Sequence, residues 1–568
     1  MNLSYWINQG WHWQSRREGM RFQQSVHEVR DVQERVLLTT LNRNRTSAYG
    51  QKFRFDSIQS IDDFRDRVPV VRYDALSEYM DRIVRGESNV LTSEPVERLV
   101  PTGGSSGGAK LVPYTASLKQ DFQKAIAAWV WSTFQTCPDA MHGRAYWSIT
   151  PMASTSHKSS ASIPIGFESD SDYLGAWSKW LSEKLILPPS LVGKIRSVEN
   201  ARYANLLYWM ACSDLALISV WSPTFLLSLL NQIDPWIESI CRDIGDGMVR
   251  LPRHEPSDST IKLTLTANRR RAEELKCSHR DKGTGADFLR DCWPRLSLLS
   301  CWGDGNSAYY FSKLQKLFPQ ARMQAKGLLA TECVVSFPTG AHGRCALSVR
   351  SHFFEFAPVG TDGRIDYSRL YLADELQLGN KYRVIVTTNG GFYRYDLGDV
   401  VEVNGFDAMC PLLQFVGRMD AVSDLVGEKL NEEHVRTTLV GLFRELDMEQ
   451  ELFLLVVREP PLLGYTLLLS ADTNLPEAAR DKLANFLDER LRSNPQYDLA
   501  RNLNQLVRVD VRILPWCGRE LWSRYEDWQN GIGKRVGELK ANVLDYRGTW
   551  REFLSEMEKA STPRVMQD

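Results

Sequence analysis

The sequence predicts an α/β protein with two parts: a large N-terminal α/β domain, in which helices sandwich β-sheets, and a small α+β C-terminal domain. The chain has 568 residues, more than a single hydrophobic core usually supports. From Leu296 onwards, strand patterns alternate with helix patterns, as in a sheet covered by helices. Beyond Arg418 the order becomes helix, strand, strand, helix, strand, which predicts a separate unit. We therefore expect one domain over residues 1–416 and a second over residues 417–568.

The N-terminal part is predicted to be mostly helical around one strand–loop–strand unit. Within Leu99–Thr115, two strands are predicted on either side of a Gly/Ser-rich loop, and the residues before this unit have a helical pattern. A helix is predicted for Ser117–Thr136. Further helices are predicted throughout Asp172–Ile244, one of them starting at Ser222 as its cap, with Pro223 in its first turn.

A hairpin is predicted late in the N-terminal domain, and five elements are predicted after it. Tyr382–Thr388 predicts a strand, Asn389–Gly391 a turn, and Phe392–Tyr395 the returning strand. The C-terminal elements are a helix at Glu432–Leu446, strands at Leu452–Val457 and Tyr465–Leu469 around a Pro460–Pro461 turn, a helix at Pro476–Arg492, and a strand at Leu506–Leu514.

Charge and composition argue against several classes of partner. Lys and Arg number 69 against 70 Asp and Glu, a net charge of −1, so we expect neither a nucleic-acid nor a membrane partner. The longest apolar stretch, Leu206–Leu230, is interrupted by Asp214 and by Ser222–Pro223, which indicates two buried helices rather than a membrane span. The ten cysteines form no C-x-x-C pair, and no secretory signal is evident. We expect a cytoplasmic monomer.

The most distinctive segment is the loop T-G-G-S-S-G-G-A-K, from Thr102 to Lys110. Glycines allow backbone amides to turn towards an anion, hydroxyls add donors, and the lysine adds a positive charge, so the loop suits the phosphates of a nucleotide. It lacks the Walker A spacing. A flexible linker is the alternative interpretation of the same composition. The candidate phosphate-binding residues are Thr102, Gly103, Gly104, Ser105, Ser106, Gly107 and Lys110.

Three further segments carry candidate site residues. Thr331 and Glu332 follow a strand, where the hydroxyl could meet a phosphate and the carboxylate could bind Mg²⁺. Asp399 is expected after a glycine at a hairpin end, where it could accept both ribose hydroxyls. Arg418 could reach a ribose or phosphate, and Lys429 lies on a Gly-containing turn before a helix. The alternatives are an ordinary loop pair, a turn aspartate and solvated surface charges.

The order and spacing of these four segments resemble the adenylate-forming superfamily of acyl-CoA ligases, peptide-synthetase adenylation domains and luciferases. The matching signatures are Thr102–Lys110, Ala330–Glu332, Tyr395–Asp399, and Gly417–Asp420 with Gly427 and Glu432. Four other stretches are similar to the Gretchen Hagen three family of acyl-acid amido synthetases, and this resemblance spans Leu37 to Lys540. These stretches are Ile163–Gly166, Pro223–Leu227, Phe353–Pro358 and Val386–Tyr395.

The resemblance implies an ATP-dependent ligase with two half-reactions. A carboxylate attacks the α-phosphate of Mg-ATP to give acyl-AMP and pyrophosphate, and an amine, usually of an amino acid, then displaces AMP to form an amide. It also implies that the small domain is mobile and rotates between the half-reactions about Met419–Asp420. The implied residue roles are phosphate stabilisation by the loop, Lys110 and Lys429, contact with the α-phosphate by Thr331, Mg²⁺ binding by Glu332, and ribose binding by Asp399 and Arg418.

Several alternatives stay open at this level. The motifs do not separate an amine acceptor from a thiol such as coenzyme A or a carrier, although the family-specific stretches favour the amine. Leu328 stands near a position that is tyrosine in plant relatives, so Trp302–Gly305 is an alternative wall for adenine. Lys540 is either a catalytic lysine of the mobile domain or a surface lysine. The acid pocket is expected around Ser154–Gly166 and near Trp209–Phe225, and the identities of acid and amine are not readable.

Overall fold

The structure is a computed structural model. It describes residues 3–102, 110–147, 163–166, 185–340, 343–360, 364–418, 422–450, 452–458, 463–473, 475–532, 534, 537 and 539–561. The chain divides into two units: a larger one of Met1–Asp304 with Tyr310–Val416, and a smaller one of Gly305–Tyr309 with Gly417–Asp568.

The larger unit begins with five α-helices and ends with a run of strands, and helices and strands are mixed between them. Its described helices are α1 (Leu3–Ser25), α2 (Val29–Arg43), α3 (Ala48–Lys52), α4 (Ile61–Arg67), α5 (Tyr73–Val84), α6 (Ala116–Thr136), α7 (Val198–Ala211), α8 (Pro223–Leu230), α9 (Ile233–Asp246), α10 (Arg269–Lys282), α11 (Ala286–Cys292) and α12 (Ala308–Leu317), whose first two residues belong to the smaller unit. Its described strands are β1 (Arg98–Pro101), β2 (Leu111–Tyr114), β3 (Arg144–Trp147), β4 (Ile186–Leu187), β5 (Leu215–Ser219), β6 (Leu298–Trp302), β7 (Arg322–Lys326), β8 (Ser336–Thr339), β9 (Arg344–Leu347), β10 (Phe353–Pro358), β11 (Lys381–Thr387), β12 (Tyr395–Asp407) and β13 (Cys410–Arg418).

Two sheets organise this unit. Five strands form a parallel sheet in the order β4-β3-β5-β6-β7. Six strands form a second sheet in the order β10-β11-β12-β13-β9-β8, in which the β10–β11, β11–β12, β13–β9 and β8–β9 pairs are antiparallel. Ligands of open parallel sheets bind outside the carboxyl ends of the strands, so the residues that follow β5, β6 and β7 are well placed for a site.

Strand β5 corrects the prediction of helices throughout Asp172–Ile244. Residues 172–184 of that range lie outside the described residues, and β5 separates α7 from α8 in the remainder. Its five residues are all buried, and the periodicity of such a short apolar run does not distinguish a buried helix from a strand. Ser222 precedes α8 and Pro223 begins it, as predicted, but the Ser222 hydroxyl contacts Thr224 Oγ1 at 2.6 Å rather than a backbone N–H.

The hairpin of β11 and β12 also differs from its prediction. The returning strand was expected over Phe392–Tyr395, but it begins only at Tyr395. Gly391 and Arg394 have φ values of +91° and +47°, and these left-handed conformations interrupt the extended backbone. Because β12 then continues to Asp407, Asp399 lies inside the strand and not at a hairpin end.

The smaller unit contains a four-stranded sheet of β16 (Phe453–Val457), β17 (Tyr465–Leu469), β18 (Asp510–Ile513) and β19 (Leu544–Asp545). The strand order is β18-β17-β16-β19, in which β16 and β17 are antiparallel and the other pairs are parallel. The predicted helix–strand–strand–helix–strand order is present, although its last strand is shorter than predicted and the helix that precedes this strand was missed. The predicted turn at Pro460–Pro461 lies outside the described residues. The described elements are β14 (Val422–Ser423), β15 (Leu430–Asn431), α13 (Glu432–Glu445), β16 (Phe453–Val457), β17 (Tyr465–Leu469), α14 (Glu477–Leu491), α15 (Pro495–Asn502), β18 (Asp510–Ile513), α16 (Gly518–Gly531), β19 (Leu544–Asp545) and α17 (Thr549–Ser561).

Among the described helices, none is both long enough and apolar enough to cross a membrane.

Candidate active site

The predicted phosphate loop is closed by the antiparallel pair β1–β2. Thr102 N donates a hydrogen bond to Lys110 O at 2.8 Å, which joins the two ends of the loop. Gly103, Gly104, Ser105, Ser106 and Gly107 lie outside the described residues, so their predicted roles stay predictions.

Tyr73, at the start of α5, contacts the loop and was missed by sequence reasoning. The Lys110 ammonium lies 5.6 Å from the centre of the Tyr73 ring. The Tyr73 hydroxyl accepts from Leu111 N at 2.8 Å and donates to Leu111 O at 3.3 Å. Burial raises the pKa of Tyr73, and the negative charges of Asp81 and Glu332 add to this rise. Tyr73 therefore orients the end of the loop that carries Lys110.

Thr331 and Glu332 lie in a tight turn after β7. Ala330 N donates to Cys333 O at 2.9 Å, and the Tyr114 hydroxyl of β2 donates to Thr331 O at 2.6 Å. The turn is thereby tied to the strand that follows the phosphate loop. Glu332 is 9% exposed, so its carboxylate is largely withdrawn from water.

Glu332 and Asp399 both affect the pKa of one buried group, the Cys333 thiol. Burial and the negative charges of Glu332 and Asp399 hold the pKa of this thiol well above its usual value. Asp399 is 6% exposed and follows Gly398, whose φ of +86° marks an irregular point within β12. Both carboxylates that were predicted to serve Mg²⁺ and ribose therefore lie within electrostatic reach of Cys333.

A buried ion pair holds β12 beside Asp399. Arg383 Nε of β11 lies 2.5 Å from Asp396 Oδ1, and the Tyr367 hydroxyl donates to Asp396 Oδ2 at 2.7 Å. Gly398 N also donates to Asp396 Oδ1, at 3.0 Å. Burial alone disfavours the ionised form of Asp396, but the hydrogen bond and charge of Arg383 outweigh it and lower the pKa of Asp396.

The turn before β12 is anchored to α6. The Thr115 hydroxyl accepts from Leu118 N at 3.1 Å, which caps α6, and it donates to Asn389 O at 3.0 Å. Asn389 Nδ2 donates to Asp121 Oδ2 of α6 at 2.6 Å. A Cβ at Gly390 would lie 2.9 Å from the carbonyl oxygen of Pro113, so the close approach of turn and strand requires glycine there.

The alternative adenine wall at Trp302 lies beside a buried cation. The Trp302 and Trp221 rings are 6.1 Å apart, and the Lys326 ammonium lies 4.1 Å from the centre of the Trp221 ring. Lys326 Nζ also donates to Ser219 Oγ at 2.9 Å. These residues end or follow β5, β6 and β7, so aromatic surface collects at the carboxyl ends of the parallel strands.

Arg418 and Lys429 belong to the smaller unit and are both exposed. Arg418 ends β13. Lys429 has a φ of +44°, and its carbonyl accepts from Asn494 Nδ2 at 3.3 Å. Beside it, the buried Glu428 carboxylate accepts from Leu425 N at 2.9 Å and from the Tyr465 hydroxyl, so the turn that presents Lys429 is firmly supported.

Lys540 lies near the N-terminus of α13. Glu432, the first residue of α13, accepts from Val543 N at 2.9 Å. Burial raises the pKa of Glu432, and the hydrogen bonds from Val543 and Leu544 and the charge of Lys540 partly offset that rise. Lys540 itself is exposed. Met419 and Asp420, the predicted hinge, lie outside the described residues.

Within the described parts of the chain, no group of three or more His, Cys, Asp or Glu side chains is arranged to hold a metal ion. Mg²⁺ at a nucleotide commonly takes one or two protein carboxylates and completes its shell with substrate phosphates and water. The Glu332 carboxylate is a hard oxygen donor of the kind that Mg²⁺ prefers, so this residue fits the ion.

The chain is similar to known proteins over most of its length. Residues 19–323 match the GH3 family N-terminal domain, and residues 345–418 match the GH3 family central domain. Indole-3-acetic acid-amido synthetase GH3.2 of Arabidopsis thaliana is 22% identical over 434 residues, 73% of this chain and 78% of that protein. Jasmonoyl–L-amino acid synthetase JAR6 of Nicotiana attenuata is 24% identical over 549 residues, 91% of each.

The solved structure of GH3.15 acyl acid amido synthetase has the same fold. Its TM-score to this chain is 0.81 at 19% sequence identity, and the match covers 95% of each chain. The predicted α/β class, with a larger N-terminal and a smaller C-terminal domain, is therefore confirmed. The predicted resemblance is also confirmed, because the two family matches together cover more than half of the chain. This chain belongs to the GH3 family.

Proposed function

We infer that the protein is an ATP-dependent acyl acid amido synthetase, which activates a small carboxylic acid as acyl-AMP and transfers the acyl group to an amine, most simply that of an amino acid. The observation that carries this inference is the hydrogen bond from the Tyr114 hydroxyl, on the strand that ends the glycine-rich loop, to Thr331 O at 2.6 Å, which ties the turn of Thr331 and the buried Glu332 to that strand. Relatives of this chain are named indole-3-acetic acid-amido synthetase and jasmonoyl–L-amino acid synthetase.

In the first half-reaction, a carboxylate attacks the α-phosphate of ATP and pyrophosphate leaves. Negative charge gathers on the phosphate oxygens in the transition state, so fixed donors and cations nearby lower the barrier. We assign this role to the loop from Thr102 to Lys110 and to the Thr331 hydroxyl. Lys110 is well suited to stabilise this charge. Tyr73 contacts the Lys110 side chain and accepts a hydrogen bond from the backbone of Leu111, the next residue.

Glu332 would hold Mg²⁺. When bound, the ion would neutralise further negative charge on the phosphates. Asp399 would accept hydrogen bonds from the ribose hydroxyls. Its position inside β12, fixed by the Asp396–Arg383 ion pair, supports this role because a strand holds a carboxylate more rigidly than a hairpin tip.

In the smaller unit, we propose that Arg418 contacts the ribose or the phosphates of ATP. We propose that Lys429 stabilises the negative charge that develops on the phosphate oxygens in the transition state. We also propose domains of 1–416 and 417–568, with rotation of the second about Met419–Asp420 between the half-reactions.

All ten cysteines are unpaired, which is consistent with the reducing cytoplasm that we propose as the location of the protein. We further propose that the protein acts as a monomer.

Transfer to a thiol such as coenzyme A is the second candidate for the acceptor step. The names of the relatives favour the amine. The test is pyrophosphate release from ATP and Mg²⁺ with a panel of aryl and alkyl acids, followed by product masses with amino acids or with coenzyme A. We expect release only with a suitable acid and an amide mass with an amino acid. A thioester mass would favour the second candidate. If the protein is folded and none of the acids in the panel triggers pyrophosphate release, both candidates are contradicted.

The Mg²⁺ assignment has its own test. Glu332→Gln keeps the size of the side chain and removes its charge, so we expect the Mg²⁺ concentration for half-maximal pyrophosphate release to rise about tenfold or more. An unchanged Mg²⁺ requirement would remove Glu332 from the metal site.

A further inference from the structure

The outward face of α1 carries a line of exposed apolar side chains. Trp6, Trp13 and Met20 follow one another at intervals of seven residues, close to two helical turns, so they lie along one side of the helix. Trp6 is 60% exposed, Trp13 76% and Met20 43%. The line is about 21 Å long at the rise of an α-helix. Large aromatic side chains left this open to water indicate an interaction surface.

The opposite face of the same helix is fixed in the fold. Asn8 Nδ2 donates to Met141 O at 2.9 Å. Gly19 packs so closely on α6 that a Cβ there would lie 2.3 Å from the Trp131 ring. Because α1 is held by this face, the apolar line is presented outwards at a defined orientation.

Positive charge accompanies the apolar line. Arg16, Arg17 and Arg21 are all exposed on α1. Glu18, the single acidic residue of the helix, is 16% exposed, and Arg350 Nε holds its carboxylate at 2.6 Å. The outward face therefore offers three guanidinium groups, which follow the two tryptophans along the helix, and no open carboxylate of its own. Arg21 also lies 4.0 Å from the Glu18 carboxylate. Tryptophan favours the boundary between water and lipid, and arginine is attracted to anionic headgroups.

We propose that the outward face of α1 docks the protein on the surface of a bilayer that contains anionic phospholipid. Trp6 and Trp13 enter the headgroup region, the arginines meet lipid anions, and the helix lies along the surface without crossing it. The sequence-based expectation of no membrane partner rested on the net charge, which averages over the chain and does not register one face of one helix. This proposal is independent of the proposed reaction.

The test is flotation of the full-length protein with phosphatidylcholine vesicles, with and without phosphatidylserine. We expect the protein to float only with vesicles that contain phosphatidylserine, and Trp6→Ser/Trp13→Ser to abolish flotation. Arg16→Gln/Arg17→Gln should lower the partition coefficient by about 30-fold, since each arginine near an anionic surface contributes about 1 kcal/mol.

Matched controls are available on other helices. Leu499→Ser/Leu503→Ser removes an apolar pair of similar exposure, 57% and 58%, from α15 and the residue that follows it. Arg269→Gln/Arg270→Gln removes two exposed charges from α10. Both controls should float like the unmodified protein.

Three results would overturn the proposal: no flotation with phosphatidylserine, equal losses in the controls, or full flotation of the α1 variants. If light scattering shows that the tryptophan variant converts a dimer to a monomer while flotation is unchanged, the face binds a second copy and the membrane proposal is wrong. Thermal unfolding will show whether each variant is folded. If the tryptophan variant does not fold, flotation of the arginine variant tests the membrane proposal.

Discussion

Glu355 of β10 and Arg394, just before β12, form a doubly bonded ion pair in the interior of the larger unit. Arg394 Nε lies 2.9 Å from Glu355 Oε2, and Nη2 lies 3.1 Å from Oε1. Their side chains are 1% and 8% exposed. Arg65 of α4 adds a third contact, from its Nε to Glu355 Oε1 at 2.9 Å. Both residues come from stretches that resemble the family, and here they join strands β10 and β12 to helix α4.

Loss of Glu355 should destabilise the larger unit strongly. Glu355→Ala leaves Arg394 buried without its carboxylate, and we expect the free energy of unfolding to fall by about 3–5 kcal/mol. The measurement is denaturant unfolding followed by circular dichroism. Asp481→Ala, which breaks the exposed pair with Arg508, is the control and should cost less than about 1 kcal/mol. Equal effects of the two substitutions would contradict a structural role for the buried pair.

Asp396 should make the free energy of unfolding depend on pH in the acid range. Its folded-state pKa lies below that of the unfolded chain, so the ionised carboxylate adds stability above the unfolded pKa, about 3.9, and this contribution is lost as the pH falls through the folded pKa. We expect Asp396→Asn to be less stable than the unmodified protein near pH 7, with a difference that shrinks on acidification. Urea unfolding at a series of pH values measures this, and a difference that stays constant with pH would refute the assignment.

Asp399 should contribute to ATP affinity. Asp399→Ala removes a charged acceptor for the ribose hydroxyls, worth about 1.5–3 kcal/mol, so we expect the Kd for ATP to rise by about 10- to 150-fold. Calorimetric titration with ATP provides the value. Asp407→Ala, at the exposed end of the same strand, is the matched control and should bind like the unmodified protein. Unchanged affinity in the Asp399 variant would place the ribose elsewhere.

Lys110 should affect the rate of adenylation. Lys110→Met removes a cation from the end of the phosphate loop, and we expect kcat for pyrophosphate release to fall by about 100-fold, the usual effect of losing one group that stabilises transition-state charge. Lys119→Met on α6, where the lysine pairs with Glu97, is the control. If the two variants release pyrophosphate equally fast, Lys110 has no part in the chemistry.

Local patterns were sufficient to predict some elements of the fold individually. The ends of β1, β2, β11 and α6 lie close to their predicted positions because alternation, helical spacing and the Thr115 cap are all local signals. Strand β5 was missed because five buried residues in a row carry no period that separates helix from strand. The returning strand was misplaced because the positive φ of Arg394 has no local sequence cause; its ion pair with Glu355 is a tertiary contact.

The candidate site was predicted where the residues carry recognisable chemistry in a recognisable order. Glu332 and Asp399 are 67 residues apart in sequence, and only the fold shows that the charges of both help to raise the pKa of the Cys333 thiol. Tyr73 gave no signal, because a tyrosine at the start of a helix has many possible roles and its contact with Leu111 depends on tertiary packing. The Asp396–Arg383 pair was overlooked for the same reason.

The hydroxyl of Thr115 has a consequence for how a ligand is received. It acts as acceptor to Leu118 N and donor to Asn389 O, so α6 cannot slide along its axis without pulling the turn that leads into β12. The end of the strand that follows the glycine-rich loop is thus joined directly to the turn that leads into the strand of Asp399. A ligand that contacts both segments therefore does not have to fix their backbones relative to each other, and the free energy that such ordering would cost is not subtracted from its affinity.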